Sequence, residues 1–129
     1  MTLASYLSKI NDKVISLWSK ILKAIPKSKI FLKTEELNNL YIKKMIINNL
    51  QKNNIDSNSI ILEGSSPRNE LLASYNKVDI ALDPFPYSGG ATSFEAAWMS
   101  TPVLTKKGTT FVSHPTESIN HNCGMSDWV

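Results

Sequence analysis

The residues best suited to chemistry in this 129-residue chain lie in one run, Asp83-Pro84-Phe85-Pro86-Tyr87-Ser88-Gly89-Gly90-Ala91-Thr92-Ser93-Phe94-Glu95. Glycines let a backbone approach a phosphate closely. A helix starting just after them would offer unpaired amides and the positive end of its dipole to that phosphate. Thr92 and Ser93 add hydroxyl donors, and Glu95, about one helical turn further on, can accept hydrogen bonds from a ribose diol. The same letters also fit an ordinary tight turn, with Thr92 or Ser93 capping the helix and Glu95 complementing its dipole. Without the full dinucleotide fingerprint or a Walker lysine, spacing by itself leaves both readings open.

A second candidate is Ser65-Ser66-Pro67-Arg68, where Arg68 could stack on a base or pair with a phosphate, or could simply be solvated. His114 and His121 titrate near neutral pH and invite a general base or a metal pair. No carboxylate or thiol at ligand spacing accompanies them in this reading, so a loop place for His114 and a helix-end place for His121 are favoured. Cys123 is the only cysteine, which excludes an internal disulfide or a thiolate metal cluster within one chain. It reads as a small packed residue.

The elements that must position these residues follow from periodicity. Between Asn11 and Ile25, the residues Val14, Leu17, Trp18, Ile21, Leu22 and Ile25 predict one apolar helical stripe, ended by Pro26. Lys29 to Lys33 reads as a buried strand. Thr34, followed by Glu35 and Glu36, predicts a capped helix to about Gln51, with Leu37, Tyr41, Met45, Ile46 and Leu50 inward. After a polar loop, Ser59 to Glu63 is a strand closed by Gly64. Ser66-Pro67 then starts a helix ending near Tyr75. Val78 to Leu82 is a strand stopped by Pro84 and Pro86, Thr92 to Met99 a short helix, and Pro102 to Thr105 a final strand. Strands alternating with helices imply right-handed crossovers, hence an α/β, Rossmann-like fold: a mostly parallel sheet with helices on both faces. Ligands in such sheets bind at the carboxyl ends of the strands, where both candidate runs fall.

At 129 residues, with 42% hydrophobic and 19% charged content, the chain suits one globular domain, 1–129. No apolar run is long enough to span a bilayer, and Met1 to Ile10 lacks the features of a secretory signal, so the reading is cytoplasmic, with no membrane partner. The net charge of +3 comes from dispersed residues such as Lys20, Lys23, Lys27, Lys29, Lys33, Lys43 and Lys44, without interleaved aromatics. That pattern reads as a solvated surface and not as a nucleic-acid platform. Apolar residues run up to Val129, and little chain precedes the first helix, so the domain reads as truncated at both ends.

The run from Val78-Asp79-Ile80-Ala81-Leu82-Asp83 through Gly89-Gly90-Ala91-Thr92 and Glu95 to Trp98-Met99-Ser100-Thr101-Pro102-Val103 resembles the carboxyl-terminal catalytic region of the protein O-GlcNAc transferase and SPINDLY-like glycosyltransferases. The segment from Lys9-Ile10-Asn11 through Leu17-Trp18 to Ile25-Pro26 is similar as well, so the resemblance covers nearly the whole chain. It implies the second Rossmann-like half of a GT-B enzyme, which binds a UDP-sugar and acts with a missing amino-terminal catalytic half, one that can bear TPR repeats, on an acceptor protein or peptide. It implies an inverting transfer of N-acetylglucosamine or a related sugar to protein Ser/Thr, with no cofactor and no metal.

Position by position, the resemblance assigns Lys9 to the leaving diphosphate, Ser66 and Arg68 to the uracil, the backbone of Gly89, Gly90, Ala91 and Thr92 to the phosphates, and Glu95 to the ribose. Three positions depart from it: Ala91 replaces the first threonine of the usual pair, Leu71 replaces a base-contacting histidine of the animal enzymes, and His114 replaces a common arginine. The isolated chain is therefore expected to be inactive without its other half. The alternative from another class is a non-catalytic nucleotide-binding module or a partner-binding fragment.

Overall fold

The structure, a computed structural model, describes Ser8 and residues 10–129. Helix α1 spans Asp12–Ala24, and its amino end is held by Asn11, whose side chain accepts from the Val14 amide at 3.0 Å. Val14, Ile15 and Trp18 are buried, whereas Leu17 and Ile25 are more than half exposed. The expected stripe is therefore corrected at two places. Leu17 lies about 100° round the helix from Trp18, and Ile25 falls beyond the last turn in extended backbone.

Strand β1, Ile30–Lys33, is buried at every residue. Lys33 is among them, which removes it from the solvated lysines. The helix expected from Thr34 is divided. Glu35–Asn38 is a 3-10 turn for which Thr34 supplies no side-chain cap, and helix α2 begins only at Leu40, capped by Asn39 through the Tyr41 amide at 2.9 Å. The tighter turn shifts the angular phase of the helix after it. Ile42, Ile46 and Leu50 face the core with Leu37, while Tyr41 (71% exposed) and Met45 point outward, against expectation. Helix α2 ends at Lys52.

Strand β2, Ile60–Glu63, pairs with β1 in parallel, from Ile30 opposite Ile60 to Lys33 opposite Glu63. Helix α3 is Arg68–Ser74. Pro67, not Ser66, occupies its cap, so the expected serine cap is corrected. A 3-10 turn over Tyr75–Lys77 continues it and draws the Val78 amide back to the Tyr75 carbonyl. The next strand, β3, is therefore only Ala81–Leu82, parallel to β4, Val103–Leu104. Between them stands α4, Ala91–Trp98. Helix α5, Pro115–Asn122, was marked in the sequence only by the helix-end place of His121, because the residues it buries, Thr116, Glu117 and Asn120, are polar.

Alternation along β1 explains the two cores. Ile30 and Leu32 join Val14, Ile15, Trp18 and Leu50 on one face, and Phe31 joins Tyr75, Val78, Ala81, Ala96 and Val103 on the other. The parallel α/β arrangement with helices on both faces is as expected. No helix among the described residues is long and apolar enough to cross a membrane.

This burial pattern predicts that Leu50→Ala, which empties a fully enclosed site, costs about 2–5 kcal/mol in denaturant unfolding, whereas Leu17→Ala stays within about 0.5 kcal/mol.

Candidate functional site

The glycine run is closed by one carboxylate. Asp83 follows β3 and continues its ladder through its amide to the Leu104 carbonyl at 3.0 Å. Its Oδ1 accepts from the Gly89 amide at 2.6 Å and its Oδ2 from the Thr105 hydroxyl at 2.7 Å. From the other side, Thr116 of α5 donates to the Gly89 carbonyl at 2.8 Å and meets the Ser93 hydroxyl at 2.9 Å. A Cβ at Gly89 would stand 2.7 Å from Ser93 Oγ, so this glycine is required by packing. A Cβ at Gly90 would meet nothing within 4 Å, so the space beside the start of α4 is open.

Gly90 is the cap of α4 and no side chain bonds there, which corrects the reading of Thr92 or Ser93 as caps. Ser93 is held by Thr116 instead. The first amides of any helix lack an intrahelical acceptor, and the first intrahelical bond here runs from Phe94 to the Gly90 carbonyl at 3.1 Å. The Gly89 amide is engaged by Asp83. The amides that follow it, from Gly90 and Ala91 onward, begin the first turn of α4.

Beside this helix start lies a cavity of about 400 Å³ whose lining includes Ser66, Leu71, Thr92 and Glu95. Four positions singled out from sequence, up to 29 residues apart, thus meet on one space. Arg68, mostly exposed, reaches across to Glu95, which is only 15% exposed, in an ion pair between its Nη1 and Oε1. Arg68 is therefore not merely solvated.

The opposite wall is built by residues that sequence reasoning missed. Lys33 Nζ donates to Glu63 Oε2 and to the Gly64 carbonyl, each at 3.1 Å. Asn38 accepts from the Ser65 amide at 3.2 Å and donates to its hydroxyl at 2.7 Å. A Cβ at Gly64 would fall 1.8 Å from Asn38 Oδ1, so a larger residue there would displace the Asn38 side chain that holds Ser65. The loop so held presents Ser66, whose hydroxyl is buried without a hydrogen-bond partner. Such a group costs about 1–3 kcal/mol unless something pairs it. Lys9 lies outside the described residues.

The histidines require a further correction, because a carboxylate does accompany them. Glu117 stands between them on α5, its Oε2 at 2.6 Å from His114 Nδ1 and its Oε1 at 3.7 Å from His121 Nε2. Lys107 reaches Oε1 at 2.9 Å. The lysine and His114 hydrogen bonds, outweighing desolvation, lower the Glu117 carboxyl to about 2. Spacings of three and four residues on one helix were the missed signal. His114 precedes α5 and His121 lies in its last turn, as expected. Among the described residues no group of three His, Cys, Asp or Glu is arranged to hold a metal ion.

Comparison with known proteins agrees with this fold. The model of a family described as glycosyl transferase family 41 matches residues 4–129. Proteins of Arabidopsis thaliana and Hordeum vulgare, each named "Probable UDP-N-acetylglucosamine--peptide N-acetylglucosaminyltransferase SPINDLY", are 29% identical over 121 residues. The match covers 93% of this chain but 12% of theirs. The solved structure of a mutant O-GlcNAc transferase from Thermobaculum terrenum superimposes with a TM-score of 0.94 at 34% identity, over 99% of this chain and 25% of that one. The chain thus spans about an eighth of those relatives and a quarter of the solved protein.

Because the folded carboxyl of Glu117 titrates at about 2 against an ordinary 4.5, its contribution to stability is complete above about pH 4.5 and lost as pH falls toward 2. Urea unfolding of the wild type and of Glu117→Gln should therefore differ most near neutrality, with the gap closing through that acid window.

Proposed function

This chain belongs to glycosyl transferase family 41, and we propose that it is the half of a two-domain glycosyltransferase that holds a UDP-sugar. The observation that carries this reading is the meeting of Ser66, Thr92 and Glu95 on one cavity beside an open helix start. Those groups suit the three parts of a nucleotide: a polar base edge near Ser66, a ribose diol at Glu95, and a diphosphate at the amides from Gly90 to Thr92. The named activities of the relatives, transfer of N-acetylglucosamine to peptides, supply the chemistry proposed for the complete protein.

In that chemistry an acceptor Ser or Thr oxygen attacks C1 of the donor sugar from the face opposite the leaving group. The C1–O bond to the diphosphate breaks, the configuration inverts, and UDP departs while the hydroxyl proton passes to a base supplied by the other half. This half would hold the departing diphosphate, as Lys9 and the positive end of α4 oppose the negative charge that develops there. Binding that strengthens as the charge grows lowers the barrier. The exposed aromatic rim of Phe85, Tyr87 and Phe111, beside the glycine loop, is the surface we assign to contact with that other half. The Ser88 amide, bonded to the Val112 carbonyl at 3.0 Å, keeps the two parts of this rim together.

Isothermal titration with UDP tests the reading. The 129-residue chain should bind saturably, and Lys9→Ala and Glu95→Ala should each weaken binding about tenfold, or about 1.4 kcal/mol. A demonstrably folded wild-type chain that takes up no UDP would overturn it.

A further inference from the structure

Thr116, in the first turn of α5, is wholly buried. Burying a hydroxyl is costly unless it is bonded, and its partners show what the burial achieves. Thr116 Oγ1 carries one proton, and the Gly89 carbonyl, which can only accept, takes it at 2.8 Å. Toward the Ser93 hydroxyl, 2.9 Å away, Thr116 is therefore the acceptor. One side chain of α5 thus holds both the glycine loop and the first turn of α4. Helix α5 is in turn tied to β4, since the Asn120 side-chain amide donates to the Val103 carbonyl at 2.8 Å.

The consequence of that grip follows from a single peptide unit. The Gly89 carbonyl and the Gly90 amide lie in one plane and point in opposite directions, because the peptide bond between them is rigid and trans. Fixing the carbonyl toward α5 therefore fixes the amide away from α5. Without such a bond the unit could turn over easily, since neither glycine has a side chain to resist rotation about its neighbouring bonds. Asp83 holds the other side of Gly89 through the amide at 2.6 Å, so the residue is clamped at both ends. Beside Gly90 the space is open, and a Cβ there would meet nothing within 4 Å.

We propose that Thr116 is a positioning residue of the donor site, whose hydroxyl holds the peptide between Gly89 and Gly90 in the orientation that presents the Gly90 amide to the diphosphate. The inference rests on the sugar-nucleotide reading above, and Thr116 itself touches no part of the ligand. Ser66 and Glu95, assigned to base and ribose, stand elsewhere on the cavity wall. Loss of the Thr116 hydroxyl should therefore be felt at the phosphates and spare the nucleoside.

Thr116→Val keeps the branched shape and removes the hydroxyl. Titrated with UDP, this variant of the 129-residue chain should bind about five- to tenfold more weakly than wild type, the loss of one buried hydrogen bond. Uridine, which has no phosphate to offer, should bind the two proteins alike, and Thr116→Ser, which restores the hydroxyl, should restore UDP binding. In wild-type chain labelled at its glycine nitrogens, saturation with UDP should move the Gly90 amide signal in the NMR spectrum and leave that of Gly89, already held by Asp83, nearly still. Equal weakening toward UDP and uridine would make Thr116 a general structural element and overturn the proposal. So would a Val variant that fails to fold or binds UDP like wild type, a Ser variant that does not recover, or a Gly90 signal that stays in place. Wild-type chain that binds no UDP would instead sink the sugar-nucleotide reading itself, and this inference with it.

Discussion

The carboxylate of Asp83 is the interaction on which the rest of this structure depends. It stands at the end of β3, and its two oxygens take one donor from the glycine loop and one from Thr105, just past β4. A six-residue excursion with two prolines is thereby returned to the sheet edge it left. Charge-assisted bonds of this kind are shorter and stronger than neutral ones, and here they act where backbone amides would otherwise be unpaired. The start of α4, the open space at Gly90 and the placing of Glu95 all depend on that closure.

The cavity beside it joins two differently built walls. One is the helix start, shaped by the packing of Gly89 on Ser93. The other is the loop from Gly64 to Ser66, held from β1 by the buried ammonium of Lys33 and from the 3-10 turn by the amide of Asn38. Lys33 sits opposite Glu63 at the last register position of the β1 and β2 pair. Sheet register and loop geometry are thus set by the same residue. A parallel strand pair buried on both faces usually ends in apolar residues, and a paired lysine and glutamate at its carboxyl end fix the direction in which the chain leaves the sheet.

How much of this was legible in the sequence depends on whether the signal was local. The strands around Phe31 and Ile61 and the glycine turn could be read, because each lies within a short run whose residue types limit the backbone; that Ser66, Thr92 and Glu95 share one cavity could not be read from spacing. The phase of α2 could not, since Thr34 followed by two glutamates spells a helix start as well as it spells a single 3-10 turn, and only the packing of Leu37 chooses between them. Nor could the polar burial along α5, where Thr116 and Glu117 face partners more than twenty residues and ten residues away in the chain. Lys33 and Asn38 were invisible for the same reason. Their roles come from contacts made across the fold, about which their sequence neighbours say nothing.

Arg68, by pairing with Glu95, also offsets one of the carboxylates that line the cavity. A bare carboxylate on the wall would repel any anion nearby through a region of reduced dielectric. With one oxygen held by the guanidinium, the pair has no net charge at a distance, yet the other oxygen can still accept from a hydroxyl. At this corner of the cavity, whose lining also holds Lys33, Glu35 and Glu36, charge and hydrogen-bond acceptance thus belong to different atoms of the same two side chains.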